Sequence, residues 1–207
     1  QRLRFETLGG HGLRGEQALG SWTVQDNTFS GPIGSDGISI VDFGGSGFRV
    51  TDGNEFHHID GHGINLQEAL GSWTVQDNTF LGPIGSDGIS IVDFSGSGFR
   101  IAGNGFGDET PDQQIPSNAI QLSAISATDV LGSWTVQDNT FQGPVGLDGI
   151  SVEGFRGDGL AITGNTMTGV ERVGIRTVGG INTTISGNQI TYSDTAAPGG
   201  PGLYGAN

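Results

Sequence analysis

One ten-residue stretch of this chain occurs three times without a single change. Gly20–Phe29 reads Gly-Ser-Trp-Thr-Val-Gln-Asp-Asn-Thr-Phe, and the same letters return at Gly71–Phe80 and at Gly132–Phe141. Gly47–Phe56 repeats the same skeleton with different residues, namely two alternating apolar positions, then an Asn, then a further apolar residue. The unit is therefore one coil of about 25 residues, a length typical of solenoid proteins.

Each coil contains three short apolar pieces. The first is a Gly followed by alternating apolar residues, as in Gly37–Ile40; the second is an alternating pair such as Trp22 and Val24; the third is a single residue such as Phe29. A period of two indicates β-strands, and the Gly, Asn and Asp residues between the pieces are turn formers. Such coils bury their apolar side chains only when like residues stack in columns.

An Asn precedes the third piece of every complete coil. A tight bend needs a residue that tolerates the left-handed conformation, and stacked amides bond to one another, so we expect these Asn residues to bend the chain and to form a ladder. The members of this asparagine ladder are Asn27, Asn54, Asn78, Asn104, Asn139, Asn165 and Asn188.

These motifs resemble the parallel β-helix repeat of the pectin-lyase-like superfamily over nearly the whole chain. The resemblance implies an all-β, single-stranded, right-handed parallel β-helix of about seven to eight three-strand coils. The superfamily includes polysaccharide lyases, hydrolases and epimerases, phage tailspikes, adhesins and structural surface proteins. Because neither end shows a polar cap, we expect residues 1–207 to be one domain that is a segment of a longer chain or a stacking unit.

Composition restricts the partners. The chain has eight Arg, no Lys, no Cys and a formal net charge of −14. Nucleic acid is excluded as a partner because its binding depends on basic groups that neutralise phosphates. No stretch approaches the roughly 18 apolar residues of a membrane span. A Lys-free acidic surface favours an extracellular or cell-surface location.

One coil has two unusually long turns. Phe106 and Ile120 are 14 residues apart, and Leu122 and Trp134 are 12 apart, so two bulges flank the predicted strand Ile120–Leu122. Insertions in solenoids commonly build the binding face, and lyases that resemble this family keep their cleft along this strand face. If the chain is an enzyme that acts on a polysaccharide, the catalytic carboxylates would be Asp87, Asp108, Glu109 and Asp148; an insertion tolerated in an exposed loop is the alternative.

A second candidate is the residue just before each Gly of the first piece. We call this series the His/Asp column: His11, Asp36, His62, Asp87, Asn118 and Asp148. Stacked about 5 Å apart, the side chains of His11, Asp36, His62 and Asp87 are candidate metal ligands, with Ca²⁺ as the candidate ion. An Asp in an ordinary turn also binds backbone groups, which leaves a structural role open.

A third candidate is the outward series Thr23, Arg49, Thr74, Arg100, Thr135, Ala161 and Thr184, which we call the Thr/Arg column. Arg49 and Arg100 are candidate ligands for acidic sugars, or solvated partners of neighbouring strands.

Two functions follow from these patterns. Near-identical coils favour a structural or adhesive segment of a secreted or surface protein, which forms fibres or joins a larger assembly by packing on copies of itself or on flanking coils. The one asymmetric coil favours instead a carbohydrate-active or sugar-binding β-helix with its site around Ile120.

Overall fold

The computed structural model describes residues 3–96, 98–107, 114–123, 134–155, 159–179, 182–191 and 203–206. These residues form strands and turns, without a helix, and every strand pairing between successive coils is parallel. Three sheets wind around one core and contain eight, eight and seven strands. The predicted all-β parallel solenoid is confirmed.

Sheet A holds the strands that follow the asparagine ladder: β1 (Arg4–Leu8), β4 (Thr28–Ile33), β7 (Glu55–Ile59), β10 (Thr79–Phe80), β13 (Gly105–Phe106), β16 (Thr140–Val145), β19 (Thr166–Val170) and β22 (Gln189–Thr191). Sheet B comes next in each coil: β2 (Leu13–Glu16), β5 (Ile38–Val41), β8 (Ile64–Gln67), β11 (Ile89–Val92), β14 (Ile120–Ser123), β17 (Asp148–Glu153), β20 (Val173–Val178) and β23 (Leu203–Ala206). Sheet C completes the coil: β3 (Ser21–Gln25), β6 (Gly47–Thr51), β9 (Ser72–Gln76), β12 (Gly98–Ala102), β15 (Trp134–Gln137), β18 (Leu160–Thr163) and β21 (Thr184–Ser186).

Like residues stack on like residues in the core, as the repeat predicts. In sheet A six phenylalanine rings lie nearly parallel, with centroids 4.7–5.0 Å apart from Phe5 through Phe141. This separation matches the spacing of neighbouring strands, so each ring covers the ring of the next coil. Sheet B supplies a column of Leu and Ile, and sheet C alternates Trp and Phe.

The Gly before each sheet B strand is required by this stacking. A Cβ at Gly37 would lie 2.7 Å from the carbonyl oxygen of Gly63 and 2.9 Å from the ring of Phe56. Gly63 and Gly88 meet the same obstacles from the next coil. The Gly therefore marks the place where the backbone of one coil lies against the phenylalanine stack.

The asparagine ladder forms with all seven predicted members. From Asn54 onward each Oδ1 accepts the backbone N–H and the Nδ2–H of the Asn one coil before it, at 2.8–3.3 Å, and Oδ1 of Asn27 accepts the N–H of Leu3 at 3.0 Å. The Nδ2 group also donates to strand carbonyls, as Asn78 does to Val50 and Gln76. Six members are buried and Asn188 is half-buried.

The expected backbone role of these Asn residues was wrong. The residue with positive φ is the one before the Asn, such as Asp26 (φ 56°), Gly53 (φ 80°), Asp77 (φ 56°) and Gly103 (φ 65°). The bend and the ladder are therefore separate tasks carried by adjacent residues, one chosen for the left-handed conformation and one for its amide.

Three parts of the core were not predicted. Strand β1 has Leu3 where later coils have Asn, so the repeat does not reveal it. Phe43, Phe94 and Phe155 follow sheet B, are fully buried, and contact the Trp rings of sheet C edge-on. A further buried column lies between sheets A and B: Ile33, Ile59, Ile84, Ile115, Val145 and Val170.

Candidate functional site

The His/Asp column lies in the turn that leads into sheet B, and it is a second ladder. His11 Nδ1 accepts the backbone N–H of Asp36 at 3.3 Å, Asp36 Oδ1 accepts that of His62 at 2.9 Å, and His62 Nδ1 accepts that of Asp87 at 3.3 Å. Asp87 Oδ1 then accepts the N–H of Asn118 at 2.9 Å. Each side chain thus satisfies a buried donor of the next coil, whatever its residue type.

The column ends in an ion pair. Asn118 Oδ1 accepts the N–H of Asp148, and the carboxylate of Asp148, which is fully buried, receives Nε and Nη2 of Arg172 at 2.8 and 2.7 Å. Hydrogen bonding to Asp148 raises the pKa of Arg172 above its usual value, against a smaller effect of burial. This two-point contact places a cation against the buried carboxylate.

The two histidines of the column accept hydrogen bonds through Nδ1. Each Nδ1 also lies near a carboxylate oxygen, 3.4 Å (His11) and 3.5 Å (His62) from the Oδ2 atoms of Asp36 and Asp87. Asp36 Oδ2 receives Nδ2 of Asn65 at 3.1 Å. Within the part of the chain that the structure describes, no group of three or more His, Asp or Glu side chains is arranged to hold a metal ion. The Ca²⁺ hypothesis stays a prediction.

The candidate catalytic carboxylates were predicted around the bulged coil of β14. Ile120 and Leu122 are buried in β14 and pair in register with β11 and β17. Asp87 and Asp148 lie in neighbouring coils, buried and hydrogen-bonded within the His/Asp column. Asp108 and Glu109 lie outside the described residues. A catalytic role for these four residues stays a prediction.

The Thr/Arg column faces outward along sheet C, as expected. Thr23, Arg49, Thr74, Arg100 and Thr135 pair one after another across five strands. A shallow cavity of about 490 Å³ lies on this face, lined mainly by Thr and Gln side chains together with Arg49, Arg100 and Asp52. Nε of Arg100 donates to Oε1 of Gln76 at 3.2 Å.

An open pocket of about 570 Å³ lies on the outer face of sheet A. Leu3, Arg4, Thr28, Glu55 and His57 line it. Burial lowers the pKa of the His57 imidazole below its usual value; neighbouring His58 lowers the pKa further, and Glu55 raises it. The sequence gives no signal for this pocket, because its residues come from three coils without a shared motif.

The open edge of the first coil, formed by β1, β2 and β3, exposes apolar side chains. Leu3 and Leu19 are 47% and 73% exposed, and Trp22 is 36% exposed. Trp22 was expected to be a core residue like Trp73 and Trp134, which are 1% and 0% exposed. The expectation was wrong because β3 is the last strand of sheet C at this end, so nothing in the structure covers the outer side of the ring.

Sequence reasoning also missed Arg172, the arginine that binds the last carboxylate of the His/Asp column. It lies 24 residues after Asp148 and directly before Val173, the residue that pairs in register with Asp148. The signal was that the column position after Asp148 is the apolar Val173, with a basic residue directly beside it.

Comparison with known proteins agrees with this geometry. A family model described as the right handed beta helix region matches residues 12–190, most of the chain. No curated protein and no solved structure gives a significant match. No helix long and apolar enough to cross a membrane occurs in the described ranges. From the stacked coils, the ladders and this match, the chain belongs to the right-handed β-helix family.

Proposed function

We propose that this chain is a structural segment of a β-helical rod outside the cell or on its surface, in which a further coil packs on the open edge of β1, β2 and β3. The proposal depends on the exposure of Trp22. In the same ten-residue sequence, the rings of Trp73 and Trp134 are covered by Phe48 and Phe99 of the preceding coil, with centroids 4.7 Å apart.

The repeat predicts the sequence of the strand that would cover Trp22. Residues 3–25 align with residues 54–76 at an offset of 51, so Leu3 takes the place of Asn54 and Trp22 that of Trp73. Trp73 is covered by the strand Gly47–Thr51. The corresponding strand for Trp22 would lie directly before Gln1, and Gly-Phe-Arg-Val-Thr is a sequence that fits it.

The repetition of the coils supports a structural role over a catalytic one. Along sheet C, Thr23, Thr74 and Thr135 recur at every second coil within the identical ten-residue stretch, as a rod requires, whereas a catalytic centre needs unlike groups gathered in one place. An acidic, Lys-free surface supports an extracellular setting.

The experiment adds a copy of Gly47–Thr51 directly before Gln1 and compares it with a Gly/Ser extension of the same length. The copy is expected to protect one of the three Trp residues from acrylamide quenching and to raise the melting temperature, and the Gly/Ser extension is expected to do neither. Negative-stain electron microscopy should show the unextended protein joining end to end at high concentration. Equal quenching of the two extended proteins would overturn the proposal.

A further inference from the structure

Among the arginines that the structure describes, two lack a carboxylate partner. Four of the other described arginines bind a carboxylate of the chain: Arg4 with Glu6, Arg14 with Glu16, Arg172 with Asp148, and Arg176 with Glu153. Among the described residues, Arg49 and Arg100 form no ion pair. Both belong to the Thr/Arg column on the outer face of sheet C, two coils apart, which is about 10 Å at the spacing of parallel strands.

Exposed aspartates border the same face: three of them alternate with the two arginines, and Asp52 follows β6, the strand of Arg49. Asp26, Asp77 and Asp138 follow strands β3, β9 and β15, and the two arginines lie on strands β6 and β12 between them. Gln76 and Gln137, whose side chains lie on the outer face of sheet C, donate to Oδ2 of Asp77 and Asp138 at 2.8 and 3.0 Å. These bonds hold the carboxylates at the edge of the Thr/Arg face, with their Oδ1 atoms still able to accept.

We propose that a second copy of this chain docks on the outer face of sheet C, parallel to the first and displaced by one coil. With two such faces opposed, the Arg row of each copy lies over the Asp row of the other. With a displacement of one coil, Arg49 and Arg100 of the displaced copy lie opposite Asp77 and Asp138 of the other copy. Asp26 and Asp77 of the displaced copy lie opposite Arg49 and Arg100 of the other copy.

The charge pattern, rather than apolar area, sets the strength of this contact. Seven strands of about five residues give a face of roughly 30 by 16 Å, or about 500 Å² from each copy. Such an area is at the low end for protein interfaces, and exposed ion pairs add modestly. The dimer is therefore weak and sensitive to salt, since the Debye length falls as ionic strength rises. In a longer rod each additional repeat adds further pairs, so lateral contacts between rods become stronger.

This lateral contact does not depend on the open edge of β1, β2 and β3. Packing on that edge buries apolar side chains and survives high salt. Association that persists at high salt in a variant without the two arginines belongs to the edge and not to sheet C, so the two proposals fail separately.

The test is sedimentation velocity over a range of protein concentrations at about 0.02 M and about 0.5 M ionic strength. The protein is expected to dimerise at low salt, and R49Q/R100Q to weaken the dimer at least tenfold. The control R4Q/R14Q removes the same charge from exposed arginines on other faces and should leave the dimer unchanged. A monomer at low salt, or equal weakening by the two double variants, would overturn the proposal.

A charge exchange provides a second test that does not depend on loss of binding. R49E/R100E makes the face wholly acidic, and D26K/D77K/D138K reverses the charge of the three aspartates that face arginines in the dimer, so neither should dimerise alone and their mixture should form a heterodimer. The folding of each variant is checked by circular dichroism, with D26N/D77N/D138N, which should also be monomeric, as the milder substitution. A mixture that stays monomeric contradicts docking through this face. So does a monomeric wild-type protein that binds polygalacturonate through Arg49 and Arg100, because the arginines then serve another partner.

Discussion

The asparagine ladder and the His/Asp column perform the same task at two corners of the coil, yet they differ in composition. Both accept the backbone N–H of an adjacent coil, at similar distances. The asparagine ladder uses one residue type seven times and is mostly buried, whereas the His/Asp column mixes three types and leaves its histidines partly exposed.

The difference follows from what each corner must satisfy. At the asparagine corner, strand carbonyls point into the bend and need a donor as well, as Val50 and Gln76 do from Asn78. An amide provides both donor and acceptor; a carboxylate or an Nδ1 atom provides only the acceptor. At the His/Asp corner an acceptor suffices, so several residue types serve. A column with a single residue type therefore marks a position whose side chain must both donate and accept hydrogen bonds. It does not by itself indicate whether that position has a function.

The largest expected effect comes from breaking the asparagine ladder in its middle. Asn78→Leu removes the acceptor of the Asn54 N–H and Nδ2–H and the donor to Val50. Each buried group left unpaired costs about 1–3 kcal/mol, so the free energy of unfolding should fall by about 3 kcal/mol or more. Urea denaturation measures it.

The matched control for this variant is Asn188→Leu at the half-buried end of the same ladder. Water reaches that end, so the loss should be clearly smaller than at Asn78. Equal losses at both positions would show that the hydrogen bonds of the ladder do not determine its contribution.

The next effect concerns the end of the His/Asp column. Arg172→Gln leaves the buried Asp148 carboxylate without its charged partner, and a hydrogen bond to a charged group contributes about 1.5–3 kcal/mol. Because the Arg172 side chain is half exposed, we expect a loss near the lower figure. Arg14→Gln, which breaks an exposed pair, should change stability by less than about 0.5 kcal/mol. If Arg172→Gln lowers the free energy of unfolding no more than Arg14→Gln does, Arg172 does not stabilise the buried end of the His/Asp column.

A smaller effect tests whether the His/Asp column needs only an acceptor. His62→Ala leaves the N–H of Asp87 unpaired and should cost about 1 kcal/mol. At another position of the His/Asp column, the amide oxygen of Asn118 accepts a backbone N–H. In His62→Asn the new amide oxygen should accept the N–H of Asp87 in the same way and restore most of the lost stability. If His62→Asn is as unstable as His62→Ala, the histidine has a role beyond accepting this bond.

The sequence predicts most of the fold because the repeat carries it. The strands, the inward columns and the asparagine ladder all recur with the coil period, and a recurring position must face the same neighbours. Phe43 and Phe94 were missed because a single apolar residue among turn formers has no period of its own. The left-handed residue was assigned to Asn27 instead of Asp26 because both types tolerate that conformation.

The candidate sites were less predictable than the fold. The members of the His/Asp column could be named, since their spacing is that of the coil. Their bonds to backbone N–H groups depend on side-chain rotamers that the sequence does not specify, and the same holds for the contact of Arg172 with Asp148. The charge alternation on sheet C emerges only when Asp77 and Arg100 are placed on neighbouring strands.

The smallest expected effect is a pH dependence from a histidine outside both ladders. His57 has its pKa lowered in the folded state, chiefly by burial and then by His58, so the unfolded chain binds a proton more readily. Stability from this group is complete above the ordinary His value of about 6.5 and declines as pH falls below it. His57→Gln should therefore flatten the decline in melting temperature between about pH 6.5 and pH 5. Unchanged slopes in His57→Gln would assign the acid sensitivity to groups other than His57.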